Sequence, residues 1–119
     1  MTRLADYHSI DLERPLEGVR FEVRDQIAFI TLTRVDRGNS LTPGMHSIFR
    51  RIWSEVRDQE EIRVAVIGAE GTRHFCTGFD VGEANSDDSE DVFADRPLAE
   101  AVFWSPYQNR VSKPVICAV

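Results

Sequence analysis

The sequence predicts a single α/β domain built from a β-hairpin, one amphipathic helix and parallel strands. Three patterns carry that reading. Residues 19–23 alternate apolar and polar, and the more apolar run Ile27-Ala28-Phe29-Ile30-Thr31-Leu32 follows after Asp25-Gln26, a pair that allows a turn. Met45, Ile48, Phe49, Ile52, Trp53 and Val56 then recur at alternating steps of three and one, which places them on one continuous helical stripe. Val64-Ala65-Val66-Ile67 is uninterrupted by polar residues, as strands of parallel sheets are. Strand, helix and strand in this order predict a right-handed crossover.

Composition narrows the class. At 119 residues and 42% apolar, the chain suits one domain with a core of its own. No apolar run approaches the ~20 residues that span a bilayer, so no membrane partner is expected. Met1-Thr2-Arg3-Leu4-Ala5-Asp6 lacks the apolar stretch of a secretory signal. Cys76 and Cys117 fall on or beside apolar segments, without metal-ligand or framework spacing. Buried free thiols in a reducing, cytoplasmic setting are expected, with neither disulfide nor metal. The net charge is −6, and Glu83, Asp87, Asp88, Glu90, Asp91 and Asp95 account for all of it; the fourteen remaining acids match the fourteen Lys and Arg. The acidity therefore belongs to one solvated segment, and no basic face for nucleic acid exists.

In chain order, residues 1–18 show no period and are expected to be an extended lead-in to a domain at 19–119. After the hairpin, residues 33–40 form a polar loop containing Arg34, Arg37 and Gly38-Asn39. Thr42-Pro43 starts the helix, with a hydroxyl at the N-cap and proline at the first helical position. Arg50, Arg51, Ser54 and Arg57 occupy the side opposite the stripe, and the helix is expected to end within residues 58–61. Beyond the acidic segment, Pro97 precedes residues 98–104, which read as a further helix, kinked or ended by Pro106. Trp104 and Tyr107 could pack or line a pocket there. Ser112-Lys113-Pro114 turns the chain into a last strand at 115–119.

The stretch with chemical content is His74-Phe75-Cys76-Thr77-Gly78-Phe79-Asp80-Val81, which follows the third strand across Gly68-Ala69-Glu70-Gly71. Glycines permit positive φ and close approach of a ligand to the backbone. Should Asp80 open a helical turn, the amides of residues 78–81 are donors without intrahelical partners beside a favourable dipole. On spacing alone the stretch also fits a plain strand-to-helix loop. His74 has no orienting partner in the sequence and is not assigned a base role.

The run F-C-T-G-F-D-V resembles the F-x-A-G-x-D-[LI] signature of the enoyl-CoA hydratase/isomerase (crotonase) family. Three other stretches match in order and spacing: Ile27–Leu32 with Arg34, Asn39-Ser40-Leu41-Thr42, and Lys113-Pro114-Val115-Ile116-Cys117-Ala118-Val119. The resemblance implies the N-terminal portion of a crotonase-like ββα superhelix. It also implies an acyl-CoA substrate whose enolate oxyanion is held by two backbone amides. Phe79 matches the residue that supplies the first amide. Arg37, Thr77, Gly78, Phe79, Asp80 and Val81 match positions that run along coenzyme A, which enters with the substrate; no separate cofactor is implied. Thr77 and Phe79 stand where the family usually has alanine, and Val35 and Gly38 also depart from its pattern.

The family's second amide and its catalytic glutamates match positions beyond Val119. The chain stops inside an apolar strand, and an unpaired edge invites association. The expectation is thus the N-terminal half of a longer enzyme, inactive alone. Hydration of a 2-enoyl-CoA is the family's commonest reaction, with isomerisation, thioester hydrolysis and C–C cleavage open on the same scaffold. Family members form trimers or hexamers, so a homo-oligomer is expected of the intact form. The rival reading is a non-catalytic coenzyme A-binding or assembly fragment that pairs its last strand with another chain.

Overall fold

The computed structural model describes residues 4–80 and 104–119. Within them lie four strands, β1 (Val19–Arg24), β2 (Ile27–Leu32), β3 (Val64–Ala69) and β4 (Val115–Cys117), and one helix, α1 (Pro43–Asp58). The strands form one sheet in the order β1-β2-β3-β4. β1 and β2 pair antiparallel as the expected hairpin, whereas β2–β3 and β3–β4 are parallel. A helix connects the parallel pair β2 and β3, as the crossover reading requires.

Register explains which residues are buried. Val19 faces Leu32 and Val23 faces Ala28 across the hairpin, while Ala28 faces Ala65 in the parallel pair. Side chains alternate along a strand, so Ala28, Ile30 and Leu32 share one face of β2, and all three are buried. Against that face lies the α1 stripe of Met45, Ile48, Phe49, Ile52, Trp53 and Val56, each at most 9% exposed. This is the core, and every buried apolar residue of the sheet comes from β1, β2 or β3. β4 contributes none. Cys117 shares the core-facing side with Ile67, its register partner, yet it is exposed, contrary to the expected buried thiol. Val115, on the same face, is packed partly against the core, so cover reaches the start of β4 but not Cys117. Cys76 is half-buried, and both cysteines are free.

The start of α1 is secured from both sides. The Thr42 hydroxyl oxygen accepts from the Met45 N–H at 3.3 Å and its proton is donated to the Glu17 carboxylate, with Pro43 following as expected. At the other end the Gln59 N–H bonds to the Glu55 carbonyl at 3.0 Å and the helix stops at Asp58.

Within the expected lead-in, residues 4–18 are not uniformly extended. A 3-10 helix spans Leu4–Ser9 and lies on α1. The Arg51 Nε donates to the Ile10 carbonyl at 3.2 Å, and the Arg50 guanidinium sits 4.5 Å from the Tyr7 ring centre. The polar side of α1 is therefore partly covered, and Ser54 is buried there. Hydropathy periodicity misses this contact because arginines use their planar heads and aliphatic stems, which pattern as solvent-facing. The last strand is shorter than expected, ending at Cys117. The acidic segment and all but Trp104 of the expected helix at 98–104 lie outside the described residues, as does Val81. No helix among the described residues is long and apolar enough to cross a membrane.

The hairpin turn provides a test of local backbone strain. Asp25 and Gln26 both have positive φ, 52° and 69°, as a two-residue primed turn demands. Non-glycine residues are disfavoured there, and the Gln26 carbonyl that accepts from Arg63 survives any substitution. Gln26→Gly is expected to stabilise the fold by about 0.5–1 kcal/mol, read as a higher urea midpoint at unchanged slope.

Candidate functional site

Two loops meet beyond the C-terminal ends of β2 and β3. The first, residues 33–41, carries Arg34, a 3-10 turn at Val35–Arg37, and Gly38 and Asn39 in left-handed conformations. The second runs from Glu70 to Asp80. Their junction is a short parallel bridge in which the Leu41 N–H bonds to the Gly78 carbonyl and the Asp80 N–H to the Leu41 carbonyl, both at 2.8 Å.

That bridge fixes the direction of the residue in between. In an extended segment successive peptide groups point to opposite sides. Gly78 C=O and Asp80 N–H face Leu41, so the N–H of Phe79 faces away from it. No acceptor for this N–H is found among the described residues. Gly78 reaches the geometry with φ of 95°, and a Cβ built on it would meet nothing within 4 Å. Glycine is needed here for its dihedral, and the space beside the backbone is open.

A buried ion pair holds the bridge in register. The Arg34 guanidinium donates to the Asp80 carboxylate at 2.9 Å, to the Ser40 carbonyl at 2.7 Å and to the Ser40 hydroxyl oxygen at 3.3 Å. Arg37 adds a second contact to Asp80 at 3.2 Å. The Asp80 side chain is 4% exposed, against 18% for Arg34 and 55% for Arg37. Arg34 thus ties the neighbour of Leu41 to the neighbour of Phe79, one on each side of the bridge. The helical turn that Asp80 was expected to open lies outside the described residues; its carboxylate is directed back at the first loop.

Asn39 makes a second tie. It is 1% exposed, and its Nδ2 donates to the carbonyls of Glu70 and His74 at 3.0 and 3.1 Å. Arg37, Gly38, Asn39, Glu70, His74 and Thr77 are among the residues lining an adjoining cavity of about 480 Å³. A Cβ on Gly38 would stand 3.0 Å from the Thr77 methyl, so a side chain at 38 would press into this contact.

Of the site residues named from the sequence, Arg37 and Thr77 line that cavity, while Gly78, Phe79 and Asp80 form the bridge beside it. Sequence reasoning matched Arg34, Asn39 and Ser40 to a motif without giving them a task. Arg34 shows its role only through a partner 46 positions away. A local signal for Asn39 exists in Gly38-Asn39, a pair suited to consecutive left-handed residues. His74 is exposed, and its backbone carbonyl makes the recorded contact.

Comparison with known proteins identifies the family. The family model for Enoyl-CoA hydratase/isomerase matches residues 27–119. The chain belongs to this family. It is 34% identical over 101 residues to an (E)-benzylidenesuccinyl-CoA hydratase of Thauera aromatica, covering 85% of this chain and 38% of that protein. A solved probable enoyl-CoA hydratase of Mycobacterium smegmatis is 30% identical with a TM-score of 0.64, covering 87% of this chain and 41% of the other. A carnitinyl-CoA hydratase of Mycobacterium avium superposes with a TM-score of 0.68 at 25% identity, over 88% and 39% of the two chains. The fold is thus crotonase-like, and the chain spans about two-fifths of the length of these relatives.

The two arginines on Asp80 are expected to differ in energetic weight. Arg34→Met strips the main partner from a buried carboxylate and is expected to cost about 3 kcal/mol. Arg37→Met removes a half-exposed contact and is expected to cost less than about 1 kcal/mol. Urea denaturation of the two variants measures the difference.

Proposed function

We propose that this chain provides the substrate-polarising loop of an enzyme that hydrates a 2-enoyl-CoA thioester. The observation that carries the reading is the Phe79 N–H, turned outward by the Leu41 bridge and held there by the Arg34–Asp80 pair. When water adds to C3 of a conjugated thioester, negative charge moves to the carbonyl oxygen before C2 is protonated. A fixed N–H donor directed at that oxygen stabilises the charge as it develops, with no reorganisation at the moment of reaction. The hydratase activity named for the Thauera aromatica relative supports hydration over isomerisation or hydrolysis.

The polar end of the substrate has a matching place. Arg37 and Thr77 line the cavity beside the bridge, with Arg73 also on its wall, so cations are available to a coenzyme A phosphate. Gly78, Asp80 and Val81 complete the loop along which coenzyme A runs in this reading. The second amide and the acid–base groups are contributed by sequence outside this chain, in an intact enzyme that is a cytoplasmic homo-oligomer, trimeric or hexameric. A second reading, a non-catalytic fragment that binds coenzyme A or assembles through β4, draws support from Ile116, 55% exposed on that strand.

The backbone and side chain of Phe79 can be separated in the full-length protein. Phe79→Pro removes the donor and is expected to lower kcat by ~10²–10³, about 3–4 kcal/mol in the transition state. Phe79→Ala keeps the N–H and is expected to lose much less. Coenzyme A affinity, measured in parallel, shows whether proline has disturbed the loop, since the residue before a proline is itself restricted. Equal losses in kcat with binding intact would mean that the ring, and not the amide, is the functional group.

A further inference from the structure

We propose that the Phe79 ring and the Trp104 indole form a wall for the acyl group, and that this wall selects an acyl chain bearing an aromatic ring. The inference rests on the Phe79 amide being the donor to the thioester carbonyl, and it names the substrate class for that same site.

Phe79 is 44% exposed, a large apolar side chain left in solvent on the loop whose amide points outward. Burial of such a ring is worth more than its exposure, and its position adds little to the core. What it does contact is aromatic. Its ring centre lies 5.4 Å from that of Trp104 at an interplanar angle of 77°, an edge-to-face pair. Trp104 is anchored in turn. Its carbonyl accepts from the Nε1–H of buried Trp53 at 2.6 Å, and its indole meets His46 edge-on at 5.3 Å and Phe49 at 5.8 Å. His46 and Phe49 belong to the buried part of α1, so the wall is backed by the core.

Covalent geometry brings the wall to the acyl chain. An oxygen accepting from the Phe79 N–H sits about 3 Å from that nitrogen and hence only about 4–5 Å from the Cβ of the same residue. The acyl carbons attached to that carbonyl cannot avoid the neighbourhood of the ring. A rigid pair of aromatic faces and edges offers an aliphatic chain only contact area. To a second aromatic ring it offers the same area plus quadrupole complementarity, corresponding to about a three- to tenfold affinity gain.

The test is a set of dissociation constants for the full-length protein, by calorimetry, with saturated thioesters that cannot be hydrated. 3-Phenylpropanoyl-CoA, 3-cyclohexylpropanoyl-CoA and butanoyl-CoA separate ring character from size. The phenyl thioester is expected to bind about threefold or more tighter than the cyclohexyl one, and tighter still than butanoyl-CoA. Phe79→Leu, at a half-exposed position where folding is not at stake, is expected to bring the phenyl-to-cyclohexyl ratio close to one. Trp104→Leu is expected to lower it as well, with circular dichroism recording its fold. A ratio near one in the unmodified protein, or one that Phe79→Leu leaves unchanged, overturns the wall while the thioester reading stands. Failure of all three thioesters to bind overturns both.

Discussion

Everything at the candidate site depends on one guanidinium reaching one buried carboxylate. Arg34 leaves the end of β2 and Asp80 lies at the far end of the loop that follows β3, so their 2.9 Å contact joins two long excursions of the chain. Placing a carboxylate at 4% exposure carries a large desolvation cost, which is offset only by a close partner and saturated hydrogen bonding. Arg34 supplies the first, and Ser40 with Arg37 contributes to the second. Because the same guanidinium also holds the Ser40 carbonyl, the pair sets register as well as proximity. The two bridge hydrogen bonds of Leu41 then follow, and with them the outward direction of the Phe79 N–H.

The core places these loops without forming the site. The α1 stripe packs on the inward faces of β1, β2 and β3, and the parallel pairing of β2 with β3 sends both chains out of the sheet at the same end. Loops leaving adjacent parallel strands must emerge side by side, which is why crevices at the carboxyl ends of such strands so often hold ligands. Had β2 and β3 been antiparallel, Arg34 and Asp80 would have stood at opposite ends of the sheet. Aromatic packing adds a second connection, from buried Trp53 and Phe49 through Trp104 to the exposed ring of Phe79. The loop is thus tied to the sheet by charge and to the helix by rings.

Elements with a strong local signal are legible in the sequence. The hairpin, the cap at Thr42, the apolar stripe of α1 and the apolar β3 are all set by periodicity and turn chemistry within a few residues of one another. The run around Gly78-Phe79-Asp80, with three further stretches, suffices to indicate the family. Less legible are the 3-10 helix at Leu4–Ser9, the exposure of Cys117 and the covered polar side of α1. Each of these depends on what another part of the chain places against it, and hydropathy alone does not record a neighbour.

By itself, then, the sequence determined the order and type of the strands and of α1, the core stripe and the start of the helix. Short-range physics governs all of these: side-chain period, proline and glycine dihedrals, and hydroxyl capping. The tertiary structure alone decided that Asp80 is a buried partner of Arg34, that Asn39 ties two loops through the carbonyls of Glu70 and His74, and that the Phe79 ring leans on Trp104. Those contacts join residues separated by tens of positions. Their geometry is fixed only once the parallel pairing of β2 with β3 has brought the two loops to the same end of the sheet.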